Sequence, residues 1–422
     1  MKVFLRTFGC RANHYDSEAL RELLGAAGHE VVTAPHEADV AVFNSCAVTS
    51  DAEADLRQSV RGVARENPAV RSIVMGCAAA LDRGVIRSLP TVTHVVPGAE
   101  LPVVSAALGL RASPASIATR AQTTVRAVLR IQDGCDEHCT FCATTLARGS
   151  SRSRPTEDLV AEARELAVRH PEIVLTGIHI GSWGVERGES LSTLLERLIE
   201  DVPDVRFRLS SLEATEVDDT LASLLRSDDR RLVPYLHAPL QSGSNRVLRR
   251  MGRHWYTAER YAASVRGLVE NREVFGLGAD VIAGFPGETE EDHAATLALV
   301  EDLPFTYLHV FPFSSRPGTA ATRLGERVPP SVIDRRAAEL RAAGARKAAA
   351  YRARRAGNTA DVVVTSGGPR PAGMTEDFLT VRVEPGVARG TRFRARLAAE
   401  DAHVTAIPEH PTSRSARYLS GP

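Results

Sequence analysis

Six cysteines divide into two sets of three: Cys135, Cys139 and Cys142 lie within the run CDEHCTFC, whereas Cys10, Cys46 and Cys77 stand singly across the first eighty residues. Cysteine thiolates are the usual protein ligands of iron-sulfur clusters, and a 4Fe-4S cluster takes four of them. Each set is one ligand short. Each is therefore able to hold a cluster with one iron open to another molecule.

Two competing readings of the cysteines are weaker. A disulfide framework belongs to short secreted chains, and this chain has 422 residues with no apolar h-region behind its start. Structural zinc takes four ligands, commonly as cysteine pairs, and no second pair follows Cys142. The spacing C-x3-C-x2-C, with Phe141 between the last two cysteines, is similar to the motif by which radical-SAM enzymes bind a 4Fe-4S cluster, leaving its fourth iron for the amino and carboxylate groups of S-adenosylmethionine (SAM). For each scattered cysteine taken alone, the bland reading is a small buried apolar residue.

The chain is long enough for two or three domains, with 43% apolar and 25% charged residues. No apolar run approaches the roughly 20 residues needed to span a bilayer, so a soluble cytoplasmic protein with no membrane contact is expected. Formal net charge is zero, so any nucleic-acid surface must be local. Lysine occurs only at Lys2 and Lys347, and arginine grips phosphate in a bidentate fork. A GC-rich genome accounts for the preference but not for the clustering. Arg120, Arg126, Arg130, Arg148, Arg152 and Arg154 surround the cysteine loop, and a helix predicted over 331–355 carries eight basic against two acidic residues.

The elements that must position these residues alternate between strand and helix. Lys2 to Phe8 reads as a strand, followed by a helix that Asp16 can cap and that carries Leu20, Leu23 and Leu24 on one face. Val40 to Asn44 reads as a buried strand. Ser50 and Glu53 then form a capping box before a helix with Leu56, Val60 and Val63 on one side. Ser72 to Met75 is a third strand. This predicts a doubly wound parallel α/β domain over 1–110, and in such sheets ligands sit beyond the carboxyl ends of the strands. Cys10, Cys46 and Cys77 each follow a strand end, and glycine precedes Cys10 and Cys77, where backbone must approach a bulky ligand. If the three strands are neighbours, the thiols meet.

A small, polar stretch from Ala112 to Gln122 reads as a linker. A second βα series follows over 121–355, with strands near 126–132, 172–177, 206–211, 234–237, 277–283 and 306–311. Six parallel strands predict an open, partial (β/α)6 barrel, whose active site belongs at the C-terminal strand ends, where the cysteine loop falls. Thr176, Gly177, Ser211, Glu213 and Gly284 also follow strands and are candidate contacts to SAM or substrate. Turn chemistry is the alternative, most of all for the run Gly-Phe-Pro-Gly at Gly284. His179, His237 and His309 lie near strand ends and read first as structural histidines.

The segments TFGCRANHYDSEAL, NSCAVTSDAEADLRQ, MGCAA, GCDEHCTFC with ARGSSRSRP, VLTGIHIGSWG, LSSLEATEV, HAPLQSGSNRVLRRMGR, DVIAGFPGETEEDHAATL and HVFPFSSRPGTAA resemble the radical-SAM methylthiotransferases over nearly the whole chain, in the family's order. The runs LTGIHIG and HVFPFSSRPGTAA resemble its MtaB branch. The resemblance implies that Cys135, Cys139 and Cys142 bind the cluster that holds SAM, which is cleaved reductively to a 5'-deoxyadenosyl radical. It implies that Cys10, Cys46 and Cys77 bind an auxiliary 4Fe-4S cluster carrying the sulfur to be inserted. The implied substrate is N6-threonylcarbamoyladenosine at position 37 of tRNA, in the anticodon loop, converted to its 2-methylthio form. A flavodoxin or ferredoxin would supply single electrons to what is expected to be a monomer.

An adenine entering a barrel mouth must be splayed from its loop. Arg148, Arg152 and Arg154 beside the cysteine loop are expected to hold the flanking phosphates. The C-terminal stretch 356–410 reads as a small β-barrel, with strands at Asp361–Val364, Phe378–Val383 and Thr391–Leu397, and GMTEDFLTVRV resembles the RNA-binding TRAM domain. Alternation puts Arg392, Arg394 and Arg396 on one face, for which a merely solvated strand is the alternative. The tail from Pro408 reads as disordered. Two departures from the family stand out: Ala143-Thr144-Thr145-Leu146 replaces two aliphatics and a proline, and Asp377-Phe378 stands where Asn-Tyr is common, an acid that would oppose RNA if it faced outward. The rival readings are isopentenyladenosine in tRNA, a ribosomal-protein aspartate as in the RimO branch, or a non-catalytic RNA-binding iron-sulfur or zinc protein.

Overall fold

The computed structural model describes residues 1–47, 50–110, 119, 121–400 and 403–409. Arg120, most of the linker and the tail beyond Glu409 lie outside them. The first domain contains β1 (Lys2–Thr7), α1 (Arg11–Ala26), β2 (Glu30–Val32), β3 (Val40–Ser45), α2 (Ser50–Glu66), β4 (Arg71–Gly76) and β5 (Val92–Pro97). Its sheet is wholly parallel in the order β2-β1-β3-β4-β5. Leu20, Leu23 and Leu24 of α1 pack with Val40, Val42 and Ile73 on one face, whereas Leu56, Val60 and Val63 of α2 pack with Ala41, Phe43 and Val74 on the other. Those two leucine and valine stripes make the domain doubly wound, since each strand side chain alternates between faces.

One local expectation fails. Asp16 does not cap α1, which begins at Arg11 with Cys10 as its N-terminal flank; Asp16 lies inside the helix, paired with Arg130 and Arg148 of the next domain. Helix α2 begins at Ser50, whose side chain and hence the expected capping box lie outside what is described, and Glu53 pairs with Arg316. In both cases a buried guanidinium across a domain boundary claims the carboxylate. A charge taken out of water demands its counter-charge more strongly than a helix end demands a cap.

The second domain is an arch of six parallel strands: β6 (Arg126–Arg130), β7 (Glu172–Thr176), β8 (Arg206–Leu209), β9 (Tyr235–His237), β10 (Gly276–Ala283) and β11 (Tyr307–Pro312). Strands β8-β7-β6 form one sheet and β9-β10-β11 another, joined by single parallel bridges Phe207–Leu232 and Ser211–His237. Two helices matter below: α3 (Thr144–Arg148), after the cysteine loop, and α4 (Pro330–Arg355), which lies along β11. Half of the basic residues of α4 are paired with carboxylates of the protein, two of them in its interior. Arg336 is buried against Glu288 at 3.1 Å, Arg355 against Asp377 at 2.7 Å, and Arg335 and Arg346 pair with Glu290 and Glu301.

The third unit is a closed barrel of β12 (Thr359–Ser366), β13 (Ala372–Thr375), β14 (Thr380–Val383), β15 (Arg392–Glu400) and β16 (His403–Pro408), in the order β12-β13-β14-β16-β15. Its turn at residues 375–378 is driven into the arch. Gly276 permits this approach, because a Cβ there would lie 2.2 Å from the Asp377 carbonyl oxygen. Asp377 is thereby buried, bonded to Arg355, Tyr351 and Thr375, so the acid expected to face RNA faces inward. Burial alone would raise its pKa, but Arg355 and these hydrogen bonds hold the carboxyl below its usual range.

Beside this turn lies a buried cluster of charge. Glu172 at the start of β7 accepts from Arg206 at 2.7 Å and Arg208 at 2.8 Å, with Arg126 at 3.3 Å, and the same two β8 arginines donate onward to carbonyls of Asp361, Met374, Thr375 and Glu376 in the barrel. Burial opposes ionisation of Glu172, yet the three guanidiniums hold it well below the normal carboxylate range. Substitution Glu172→Gln leaves buried arginines without their counter-charge, a loss of about 3–5 kcal/mol. The expected outcome is a clear fall in thermal midpoint with early proteolytic release of the C-terminal barrel; an unchanged melt and cleavage pattern would refute this account.

Candidate active site

Strands β1, β3 and β4 are adjacent, so the loops after them bring Cys10, Cys46 and Cys77 to one edge of the sheet. Two glycines make the convergence possible. Gly9 and Gly76 have φ of +92° and +93°, and a Cβ on Gly9 would lie 2.5 Å from Cys46 Sγ. All three cysteines line a cavity of about 600 Å3 whose opposite wall carries Thr176, Gly177, Ser211 and His237 of the arch.

The second triad sits on the loop after β6, pinned by groups far away in sequence. Gly134 approaches Ser150 so closely that a Cβ would fall 1.9 Å from its carbonyl oxygen. Thr140 donates to the carbonyls of Met251 at 2.8 Å and Arg250 at 3.0 Å, and its own carbonyl accepts from Ala321 at 2.7 Å. Phe141 meets Phe285 edge to face at 6.4 Å. Backbone N–H groups of Glu137 and Thr144 donate to Cys135 Sγ and Cys142 Sγ at 3.4 and 3.3 Å.

Each triad also has an arginine. Arg148 Nε donates to Cys77 Sγ at 3.3 Å, and Arg253 donates to Cys139 Sγ at 3.4 Å. Burial pushes the Cys77 thiol up to about 11 and the Cys139 thiol up to about 12, with these arginines opposing the rise. Such thiols become thiolates when a cation binds them, with loss of their protons. Among the described residues, the one trio of ligand atoms lying within 4.8 Å of one another is His237, Asp280 and His309.

The other expected residues separate into groups. Thr176 is buried at the end of β7, and Gly177 packs against Gln132 so that a Cβ would lie 2.8 Å from its amide oxygen. Ser211 is exposed at the cavity, while Glu213 pairs with Arg253 and keeps Oε2 buried without a hydrogen-bond partner. Gly284 does not line that cavity. Its N–H and that of Phe285 donate to Glu288 at 2.8 and 3.2 Å, and this turn sets Phe285 beneath Phe141.

The expected phosphate grip of the three arginines is only partly available. Arg148 is buried, with its side chain 5% exposed, and bonds Asp16 at 2.8 Å, Asp133 at 2.9 Å and Asn13 at 2.7 Å besides Cys77. Arg154 bonds Glu162 at 2.8 Å and Tyr15 at 2.9 Å. These two link domains, because α1 supplies Asn13, Tyr15 and Asp16. Only Arg152, 59% exposed, faces solvent among the three, while donating to the Arg148 carbonyl at 3.2 Å and lying 3.7 Å from Asp133.

Family comparisons agree with this geometry. Residues 2–98 match the model described as Uncharacterized protein family UPF0004, and residues 129–300 match the Radical SAM superfamily. Relatives named threonylcarbamoyladenosine tRNA methylthiotransferase MtaB are 36% identical in Aquifex aeolicus, over 78% of this chain and 84% of theirs, and 37% identical in Bacillus subtilis, over 80% and 79%. The chain belongs to the radical-SAM methylthiotransferase family. A Thermobifida fusca relative named tRNA-2-methylthio-N(6)-dimethylallyladenosine synthase is 35% identical over 86% of this chain and 78% of its own. The radical-SAM methyltransferase TsrM from Kitasatospora setae shares the fold, with a TM-score of 0.58 at 15% identity over 76% of each chain.

As a radical-SAM methylthiotransferase, the protein uses SAM and two 4Fe-4S clusters. The donors present fit that requirement: two thiol trios, each with N–H donors at sulfur, and a buried unpaired carboxylate oxygen of Glu213 near Cys139, able to accept from an ammonium group. Sequence reasoning missed Gln132, Arg253 and Phe378. Gln132 joins the cysteine loop to the β7 turn by donating to Gly134 O at 2.8 Å and accepting from Ile178 and His179 N–H groups at 3.0 and 2.9 Å. Phe378 reaches the cavity from the C-terminal barrel. Its departure from the family pattern is visible in the sequence, but its place at the cavity is not. Because Gly9 has no room for a side chain beside Cys46, Gly9→Val should lower iron in the reconstituted protein from about eight to about four atoms per chain while reductive SAM cleavage persists; full iron content in that variant would disprove the packing argument.

Proposed function

We propose that this enzyme inserts sulfur and a methyl group at C2 of N6-threonylcarbamoyladenosine at position 37 of tRNA. The carrying observation is that the N-terminal triad and the C-terminal strand ends of the arch face one cavity, so a sulfur-bearing site and a radical-forming site can act on one base. The names of the relatives, five of them for threonylcarbamoyladenosine, support this choice of substrate. The 35% identical Thermobifida fusca relative keeps dimethylallyladenosine as the second reading.

In this reading Cys135, Cys139 and Cys142 hold the SAM-binding cluster, and Cys10, Cys46 and Cys77 the auxiliary one. When bound, SAM and its cluster supply a carbon radical, which unactivated C–H bonds require and acid-base groups cannot provide. The chain's own part is placement. Gln132 fixes the cysteine loop against the β7 turn, Thr176 and Gly177 shape the wall facing the triad, and Ser211 and Glu213 offer polar contacts to SAM. Arg148 holds Cys77 at a fixed distance from the loop that carries Cys142. Arg253 offsets the charge of Cys139 and orients Glu213.

RNA contact falls to arginines that remain exposed. Arg152 lines a separate cleft together with Arg148, which also reaches the cysteine cavity, and takes a phosphate flanking the splayed base. Arg394 and Arg396 stand outward on β15, alternating with buried Ala395 and Leu397, whereas Arg392 is partly committed to Asp361 at 2.8 Å. The protein works as a monomer with a flavodoxin- or ferredoxin-type electron donor. Arg152→Glu is expected to weaken tRNA binding and to flatten its salt dependence, because one phosphate contact contributes close to one unit of slope; equal affinity at all salt concentrations would remove Arg152 from the interface.

The deciding experiment is mass spectrometry of nucleosides from tRNA of a deletion strain. Loss of 2-methylthio-N6-threonylcarbamoyladenosine, restored by the wild-type gene but not by Cys10→Ala or Cys139→Ala, is the expected result. Loss of the dimethylallyl derivative instead would favour the second reading, and an unchanged profile would defeat both.

A further inference from the structure

Three adjacent parallel strands place a continuous polar chain on the cavity wall opposite the N-terminal cysteines. His237 of β9 bonds Asp280 Oδ1 of β10 through Nε2 at 2.9 Å, and His309 of β11 bonds the same oxygen through Nδ1 at 3.3 Å. Behind them Tyr307 OH lies 2.8 Å from His237 Nδ1, and Tyr235 OH lies 2.6 Å from Tyr307 OH. All five side chains line the same cavity as Cys10, Cys46 and Cys77.

The chain has a buried end and an open end. His237 is buried, whereas the His309 side chain is 55% exposed. Asp280 Oδ2 and His309 Nε2 have no partner among the described residues. Burial would raise the Asp280 pKa, but the two imidazoles overcome it and keep the group an acceptor. With Nδ1 committed to Asp280, His309 Nε2 accepts when the ring is neutral and donates when it is protonated. The open end therefore matches a ligand that carries both N–H or O–H donors and carbonyl or carboxylate acceptors. An apolar ligand would strip water from both groups and return no hydrogen bond.

We propose that Asp280 and His309, backed by His237 and Tyr307, form a subsite that reads a hydrogen-bonding substituent on N6 of the target adenine and rejects an apolar one. This rests on the reading that an N6-modified adenine is the substrate. Sites built to hydrogen-bond a substrate group exclude analogues lacking it far more strongly than apolar pockets exclude polar ones.

The test uses the full-length, anaerobically reconstituted enzyme and two synthetic anticodon stem-loops, one with N6-threonylcarbamoyladenosine and one with N6-isopentenyladenosine. Formation of each 2-methylthio product gives kcat/KM. Wild type is expected to favour the threonylcarbamoyl RNA by about 100-fold or more. His309→Leu and Asp280→Asn should each cut that preference by about tenfold or more, and His309→Gln, which keeps a hydrogen-bonding side chain, should retain part of it. Iron content and melting temperature check that each variant is folded and loaded. Unaltered preference in His309→Leu overturns the subsite alone. Wild-type preference for the isopentenyl RNA overturns the substrate reading and the subsite with it. One equivalent of bound divalent metal, lost in Asp280→Asn, would also overturn the proposal by making the trio a metal site.

Discussion

The guanidinium of Arg148 holds the two halves of the site in one frame. It is buried at the end of α3, where its donors reach Asp16 and Asn13 of the first domain, Asp133 of the second, and the sulfur of Cys77. A buried cation survives only with its partners in place, so these bonds cannot be exchanged one at a time. Arg130 and Arg154 reinforce the seam through Asp16, Tyr15 and Glu162. The result is that the loop of Cys135, Cys139 and Cys142 and the sheet edge of Cys10, Cys46 and Cys77 are registered by side-chain geometry.

A second set of buried charges works at the other end of the arch. Glu172 gathers Arg126, Arg206 and Arg208, and the last two pass the connection on to backbone carbonyls of the C-terminal barrel. The arch thus has polar fastenings on both sides of an apolar core built from Leu129, Leu175, Leu209, Leu236 and Val281. Charge that composition leaves balanced over the whole chain is spent where domains meet.

The parts of this arrangement with a period or a spacing were legible in the sequence. Both cysteine trios, the three N-terminal strands beneath Cys10, Cys46 and Cys77, all six arch strands and the outward arginines of β15 follow from strand alternation and from cysteines placed after strand ends. Strands β2, β5, β13 and β16 were not foreseen, since three to six residues with mixed pattern give little signal. Long-range pairing was not legible at all. Asp16 reads locally as a cap, Arg148 as a phosphate ligand and Asp377 as an acid facing RNA, because nothing in a one-dimensional sequence shows which guanidinium will be buried beside which carboxylate. Likewise His237, Asp280 and His309 are separated by dozens of residues and meet only because β9, β10 and β11 are neighbours.

The absent side chain at Gly276 has a reach beyond local packing. By letting the Asp377 backbone touch β10, it lets Phe378 lie against Tyr235 and Tyr307, with ring centroids 4.8 and 5.4 Å away, inside the cavity itself. The C-terminal barrel then supplies one wall of the cavity that the N-terminal cysteines line. Cutting it away would remove that aromatic wall and admit solvent to the cavity from the barrel side. Its loss would appear as SAM consumed without product, a different failure from weakened grip on the substrate.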